Sequence, residues 1–346
     1  MTVPFVARSF DARELINVHR SGGQQFGAPP ECITRFTTYR CRKPLKASLR
    51  LVSPEAPTLR RIHKHYMTDE ITGIKKWLET HGARLELAVG RILRTNGWQA
   101  RHGGYFVDLT SSQTRDLDVR ASLFEGSSEH NGVVTVVLAI ECKQSSNKPW
   151  VAFTSSEHVV DSTYEYALAP GNLSQVALLY ATPAGTPMPA MLQRPVRLAH
   201  GLTTAHTDSS TTGPTDAYSS IRGAVAAAAA LTRRREAFQR ELARGYGLID
   251  IVLPTVVFDG HLFELYIDEA GSEVIEACKV VRVVMPDPLT ENGTVICTVF
   301  TLAGLNDVAG QLAADARGIA SNILPHARKL CEGVYRSGPI QQIPGH

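Results

Sequence analysis

Two carboxylates and a lysine are the residues of this sequence that most clearly suggest chemistry. Asp118 ends the run Thr114-Arg115-Asp116-Leu117-Asp118, and Glu141 and Lys143 flank Cys142 further along the chain. Carboxylate oxygens are the ligands that Mg²⁺ and similar cations prefer. A bound divalent cation with a lysine beside it can assist the attack of water on a phosphodiester. If the fold brings these groups together, we expect metal-assisted phosphodiester hydrolysis.

The elements that would position these groups follow from hydrophobic periodicity. Residues 132–140 are almost wholly apolar and rich in valine, which predicts a strand buried on both faces. Side chains alternate along a strand, so Glu141 and Lys143 should leave the core on the same side. Asp116 and Asp118 share a face by the same rule. If the two strands are neighbours, carboxylates from both can converge on one cation.

A further acid, Glu86, lies upstream on a predicted helix. Apolar side chains recur at helical spacing through residues 85–93, so one face of this helix should pack onto the sheet. Asn96-Gly97 is a typical helix end. The acid therefore belongs to an element that could reach the same site.

The same pattern also has a simpler explanation. An aspartate followed by Glu-x-Lys arises by chance in many proteins, and Glu-x-Lys on a strand is usually a solvated charge pair. The context favours chemistry, because the charged residues directly end a buried strand and a helix that carries one more acid, Glu86, lies upstream. Signatures of other chemistries are missing from the sequence, namely Gly-x-x-x-x-Gly-Lys-Ser/Thr, Gly-x-Gly-x-x-Gly after a strand, His-Glu-x-x-His and Gly-x-Ser-x-Gly.

This order of elements resembles the PD-(D/E)xK nuclease superfamily, which has the restriction-endonuclease-like fold. The resemblance covers residues 84–150: the helix with Glu86, the Gly97-Trp98 exit, a strand over 105–109, the Arg-Asp-Leu-Asp strand and the Ile-Glu-Cys-Lys strand. It implies an α/β fold with an α-β-β-β-α-β core, a mixed central sheet flanked by helices, and additions at both termini. No proline precedes the aspartate, at a position that the family does not hold fixed.

The resemblance also implies a role for each matched residue. Asp118 corresponds to the metal-binding aspartate, Glu141 to the second acid, Lys143 to the catalytic lysine and Glu86 to the helix glutamate that many members add. The backbone carbonyl of Cys142 would be a further metal ligand. Its thiol should point to the opposite face of the strand and serve as a small core group. The implied cofactor is Mg²⁺ or Mn²⁺.

The expected function is that of a Mg²⁺-dependent DNA endonuclease, of a restriction, defence or repair type. Mg²⁺ held by Asp118 and Glu141 would neutralise the scissile phosphate and acidify a bound water. Lys143 would orient that water and stabilise the developing charge. An RNA nuclease stays open, as does a nuclease-fold module that binds nucleic acid or a protein partner without cutting. A second copy of the chain is another candidate partner.

Composition is consistent with a globular protein of the cytoplasm. The chain has 346 residues, of which 43% are hydrophobic, and its net charge is +3. This is enough apolar material for a substantial core. No run approaches the roughly twenty apolar residues of a membrane span, and the first residues lack the apolar block of a signal peptide. The six cysteines include no Cys-x-x-Cys pair, so neither a zinc ribbon nor a disulfide framework is expected.

The pattern divides the chain into three parts. Residues 1–67 are a basic segment without a defined fold, residues 68–336 a nuclease-like α/β domain, and residues 337–346 a flexible tail. Within the domain, residues 183–217 are rich in Pro, Ser, Thr and Gly and predict a long loop. Further predictions are a strand at 175–182, an alanine-rich helix at 218–243, strands at 248–258, 261–267, 280–285 and 294–301, a hairpin turn at Asp259-Gly260, and a last helix at 306–330.

Basic residues are concentrated in the N-terminal segment. Between residues 35 and 64, nine lysines and arginines stand against a single glutamate, with aromatic side chains interleaved. Such a segment could follow a phosphate backbone, although charge runs are also often only solvated. The residues assigned to nucleic-acid contact are Arg40, Arg42, Lys43 and Lys46. A second cluster, Arg233-Arg234-Arg235, lies on the alanine-rich helix, where Glu236 and Glu241 offer pairing partners.

The basic segment gives the first prediction. Neutral replacements at Arg40, Arg42, Lys43 and Lys46 should weaken binding to DNA of every sequence alike, because phosphate contacts release counterions. The slope of log affinity against log salt should flatten by about 0.9 for each phosphate that the variant no longer neutralises. Turnover of bound substrate should survive. Anisotropy titrations at several salt concentrations measure this, and an unchanged affinity and slope would show that the segment does not bind the phosphates.

Overall fold

The computed structural model describes residues 70–76, 78, 83–145, 148–155, 168–183, 185–193, 195, 197–205, 216–241, 245–291 and 293–336. The basic segment 1–67, with Arg40, Arg42, Lys43 and Lys46, and the tail 337–346 lie outside these residues, so the predictions for them stay predictions. The elements are α1 (Ala83–Thr95), β1 (Gln99–His102), β2 (Tyr105–Val107), β3 (Thr114–Asp116), β4 (Val119–Ser127), β5 (Gly132–Gln144), β6 (Trp150–Thr154), α2 (Asn172–Leu178), β7 (Ala199–Thr204), α3 (Asp216–Glu241), β8 (Gly247–Asp259), β9 (Leu262–Ile267), β10 (Glu273–Ala277), β11 (Val280–Pro286), β12 (Thr294–Thr301), α4 (Leu302–Ile323), a 3₁₀ turn (Leu324–His326) and α5 (Ala327–Arg336).

Most of these strands join one mixed sheet, in the order β1-β4-β5-β8-β12-β11-β7-β6-β9-β10, and β2 and β3 form a separate small sheet. β1, β4 and β5 are antiparallel neighbours. β5 then pairs with β8 in parallel along its whole length. This confirms the predicted α/β class with a mixed central sheet flanked by helices. Among the described helices, none is long and apolar enough to cross a membrane.

The core lies on both faces of β5, as its continuous apolar sequence requires. Alternate residues from Val134 to Ile140 pack on one face with α1 and α4. Val137 and Ala139 pack on the other face against alanines of α3. Alanine side chains are short, so α3 can approach the sheet closely. β5 is therefore fixed by a helix layer on each side and by a strand at each edge.

Several predicted elements are confirmed. α1 ends at Asn96-Gly97, where Gly97 has a φ of 88° that favours glycine. The buried strand at 132–140 is β5, the alanine-rich helix is α3, and the strands at 248–258, 261–267, 280–285 and 294–301 are β8, β9, β11 and β12. Residues 70–76 are also helical.

Three local predictions are wrong. The segment predicted as a strand at 175–182 contains most of α2, whose buried Leu173, Ala177 and Leu178 lie on one helical face; a short apolar run does not distinguish the two states. The predicted loop 183–217 contains β7, which pairs with β6 and β11, and ends in the first turn of α3. The last predicted helix is interrupted by the 3₁₀ turn, because Pro325 cannot donate a helical hydrogen bond.

Two predictions of strand arrangement are also wrong. Asp259-Gly260 does not make a hairpin, because β8 lies between β5 and β12 while β9 lies between β6 and β10. Both edges of β8 are occupied, so β9 pairs elsewhere in the sheet. The strand predicted at 105–109 is β2, which pairs with β3 outside the central sheet. The strand that pairs with β4 at the edge of the central sheet is β1.

The close approach of β8 and α5 gives a prediction of stability. A Cβ atom at Gly247 would lie 2.5 Å from the carbonyl carbon of Ala327, which is backbone and cannot rotate away. Gly247→Ala should therefore lower the free energy of unfolding by about 1 to 3 kcal/mol. Gly318→Ala is the matched control, because that site in α4 has open space, and it should raise stability by about 0.5 to 1 kcal/mol. Urea denaturation measures both, and equal effects would contradict the close approach.

Candidate functional site

The candidate site lies where β4 begins and β5 ends. Val119 pairs with Ile140, so Asp118 and Glu141 occupy the next positions beyond this pair. The Asp118 carboxylate accepts a hydrogen bond of 2.7 Å at Oδ2 from the backbone N–H of Cys142. A side chain from the β4 side of the ladder therefore contacts the backbone of β5 at this end.

Asp118 does not lie inside a strand. β3 ends at Asp116 and β4 begins at Val119, which corrects the expectation that Asp116 and Asp118 share a face of one strand. The backbone at the break forms other hydrogen bonds: Gly103 N–H donates to the Asp118 carbonyl, and Leu117 N–H donates to the Gly104 carbonyl. β3 belongs to the small sheet and β4 belongs to the central sheet, so the chain passes from one sheet to the other at Leu117 and Asp118.

The predicted alternation at the end of β5 is confirmed. Ile140 and Cys142 pack with the core under α1 and α4. Glu141 points to the other face, where its Cδ lies 3.2 Å from the place that a Cβ on Gly223 of α3 would occupy. Lys143, two residues on, is exposed. The glutamate is thus held against a helix while the lysine reaches solvent.

Glu86 enters from the opposite layer. It lies on α1, whose buried residues pack with the core on the other face of the sheet from α3. Burial raises the pKa of Glu86, and the charge of Asp118 raises it further. Burial followed by the charges of Asp118, Glu86 and Glu141 also raises the pKa of the Cys142 thiol. The charge of Asp118 therefore acts on an acid from each layer. Because its pKa is raised, the Cys142 thiol is not a ready nucleophile.

Glu141 has the most perturbed carboxyl group of the site. Burial raises its pKa to about 8, and the charges of Asp118 and Glu86 add to the shift, while Lys143 and Arg115 oppose it. Burial likewise raises the pKa of Asp118, against the Cys142 N–H and the Lys143 ammonium. Burial is thus the largest cause of the raised pKa at Glu86, Asp118 and Glu141, and the charge of Asp118 adds to it at the two glutamates. Such a cluster is a typical feature of functional sites.

A divalent cation would relieve this repulsion, and the donor set is suited to one. Carboxylate oxygens are ligands for Mg²⁺, which commonly uses one or two protein carboxylates and completes its shell with water and substrate phosphate. Among the residues that the structure describes, no three His, Cys, Asp or Glu side chains are grouped so that they could hold one metal ion.

The structure adds residues that sequence reasoning missed. Gly223 leaves the space against which Glu141 lies, and Arg115, which pairs with Asp108 at 2.9 Å, contributes positive charge near it. A lone glycine among alanines is the sequence feature that could have indicated Gly223, whereas nothing in the sequence indicates that Arg115 lies near Glu141.

His102 packs over Gly90, one helical turn beyond Glu86, and contacts Arg94 at 3.1 Å.

No family model, curated protein or solved structure matches this chain. The function must therefore be inferred from the geometry and charge of the site.

The raised pKa of Glu141 predicts how stability depends on pH. In the unfolded chain this carboxyl ionises near its usual value of 4.5, while in the fold its pKa is about 8. The unfolded state therefore releases a proton first, so stability should fall as the pH rises from about 4.5 to about 8. Glu141→Gln cannot ionise and should melt at a higher temperature than the parent at pH 8. The difference should shrink towards pH 4.5 in thermal melts with EDTA; a constant difference would contradict the shift.

Proposed function

We propose that this chain is a metal-dependent phosphodiesterase that cuts nucleic acid, with DNA as the favoured substrate. The observation that carries the proposal is the convergence of Asp118, Glu141 and Glu86 at one end of the β4–β5 pair, with Lys143 on the same strand. Burial raises the pKa of all three acids, and the charge of Asp118 raises the pKa of Glu86 and Glu141 further, so their ionised forms destabilise the fold unless a cation or substrate compensates. Binding a divalent cation gives this arrangement a function.

The strand order supports the same proposal. α1 precedes the antiparallel strands β1, β4 and β5, and α3 then leads to β8, which is parallel to β5. A helix, three antiparallel strands, a helix and a parallel strand is the order expected of a restriction-endonuclease-like core. In this chain β6, α2 and β7 are inserted between β5 and α3. Glu141 and Lys143 lie on one strand of this series, Asp118 directly precedes another, and Glu86 lies on the first helix.

Each residue has a proposed part in the reaction. Asp118 and Glu141 would hold Mg²⁺, which when bound neutralises phosphate charge and lowers the pKa of a water ligand. The Cys142 N–H fixes the orientation of the Asp118 carboxylate. Lys143 leaves the sheet on the Glu141 side and can donate hydrogen bonds to a phosphate oxygen as charge develops there. Glu86, from the other layer, would orient water or support a second ion.

A second candidate function is binding without cleavage. The observation that favours it is that the described residues contain no three-ligand group for a metal ion. A domain of this kind would keep the carboxylates only as a charged surface. Incubating supercoiled plasmid, linear DNA and RNA with the purified protein and Mg²⁺ or Mn²⁺ separates the two functions. Cleavage that EDTA abolishes supports the nuclease, while binding without cleavage under all these conditions supports the module.

Substitutions give a sharper prediction. Asp118→Asn, Glu141→Gln and Lys143→Met should each reduce plasmid cleavage by about 100-fold or more, because each removes a group aimed at the reacting phosphate. Glu86→Gln should cost less, on the order of tenfold, if it acts through water. Rates from single-turnover gel assays measure the effects. Thermal melts show whether each variant is folded.

Asp116→Asn is the matched control for this series. Asp116 is an exposed carboxylate two residues from Asp118 and ends β3. Its replacement removes the same charge and should leave the cleavage rate within about twofold of the parent, since surface substitutions are usually small in effect. If Asp116→Asn abolishes cleavage while Asp118→Asn does not, the assigned acid is the wrong one.

A further inference from the structure

Arginines are crowded on the α3 side of the sheet edge formed by β1 and β4. Arg101 of β1 lies directly opposite Arg120 of β4 in the antiparallel register. Like charges at directly opposed positions destabilise a strand pair. The register thus places two arginines opposite each other, an arrangement that does not stabilise the pairing of β1 with β4.

Both side chains point to the same face. Val119 and Ala121, on either side of Arg120, are fully buried in the core under α1 and α4, so Arg120 must project to the α3 side. Ala100 packs with the same core, so Arg101, the next residue, also projects to the α3 side. Glu141 is on this side as well, against Gly223. The two arginines therefore share a face with the candidate site.

Helix α3 brings further positive charge to this face. Arg235 forms an ion pair of 2.8 Å with the buried Asp250 of β8. Burial is the main cause of the lowered pKa of Arg120. The nearby charges that also act on it are those of Asp250, Arg235, Arg234 and Arg101. Of the charges that act on Arg120 in the described part of the chain, three are arginines and one is an acid, Asp250, which is already paired with Arg235. Positive charge therefore predominates among them.

We infer that Arg101, Arg120 and Arg234 form a binding surface for the phosphate backbone of a nucleic acid, which continues from the candidate site. The inference rests on the proposed function and adds the path of the substrate. Arginine binds phosphate oxygens through paired, charge-assisted hydrogen bonds. Arg120 is two residues from Asp118, a separation of about 6 to 7 Å along an extended chain. A phosphate at Asp118 therefore has its neighbours along the same strand within reach of this surface.

The test measures binding in EDTA, so that it does not depend on cleavage. A labelled DNA duplex is titrated at several salt concentrations with the full chain and with the triple variant R101Q/R120Q/R234Q. Affinity should fall by about tenfold or more, and the slope of log affinity against log salt should flatten by about 2.7, which is 0.9 for each of three phosphates. The triple variant R101K/R120K/R234K keeps the charges and should retain most of the slope, which separates the effect of charge from an effect of misfolding.

The control removes the same number of positive charges from the other side of the sheet. Arg317 of α4 and Arg328 and Lys329 of α5 are exposed, and both helices pack on the core opposite α3. R317Q/R328Q/K329Q should bind DNA nearly as the parent does. Equal losses in the two glutamine triples, unchanged binding in R101Q/R120Q/R234Q, or a parent chain that binds no DNA would each overturn the inference. A triple variant that loses polyglutamate binding but not DNA binding would instead identify an acidic protein as the partner.

The outcomes of this experiment distinguish a failure of the inferred binding surface from a failure of the proposed function. If the parent chain binds DNA through these arginines but never cleaves it with Mg²⁺ or Mn²⁺, the surface is supported and the nuclease is not. If the parent cleaves DNA and R101Q/R120Q/R234Q binds and cleaves unchanged, the nuclease is supported and the surface is overturned.

Discussion

The pairing of β5 with β8 is the constraint on which the rest of the structure depends. It extends over the whole of Gly132–Gln144 and fixes β5 between two strands. With α1 and α4 packed on one face and α3 on the other, β5 has no position in its middle where a charge could be solvated. Charged side chains can therefore begin only at its carboxyl end. Glu141 is the first of them, which is why the candidate site forms there.

The same packing explains why Glu141 is so perturbed. α3 approaches the sheet through alanines, and Gly223 provides the space at the level of the carboxylate. A larger residue at that position would hold the helix further away and let water reach the glutamate. Close packing on one side and Asp118 on the other together keep the pKa of Glu141 high. The electrostatics of the site are thus a consequence of small residues that have no charge themselves.

The long, strongly periodic elements could be predicted from the sequence. Hydrophobic periodicity is continuous in these elements and predicts their type correctly; they are α1, β5, α3, β8 and β12. α2 and β7 could not, since a short apolar run fits either state and a strand in a loop-like composition is stabilised only by its neighbours. The order of the strands depends on pairings between distant residues, so the place of β9 was missed. Asp118, Glu141 and Glu86 could be singled out because motif spacing is local, whereas the position of Arg115 near Glu141 depends on the fold.

The hydrogen bond from the Cys142 N–H to Asp118 has a further consequence. In an uninterrupted ladder this donor would be directed at a backbone carbonyl of a neighbouring strand, but here a side-chain carboxylate accepts it. The carboxylate acts as a terminator of strand pairing. An apolar β-branched residue at position 118 could not accept this hydrogen bond. It would instead favour extension of the β4–β5 ladder by further residue pairs. The length of this strand pair is thereby limited by a side chain that also belongs to the candidate site.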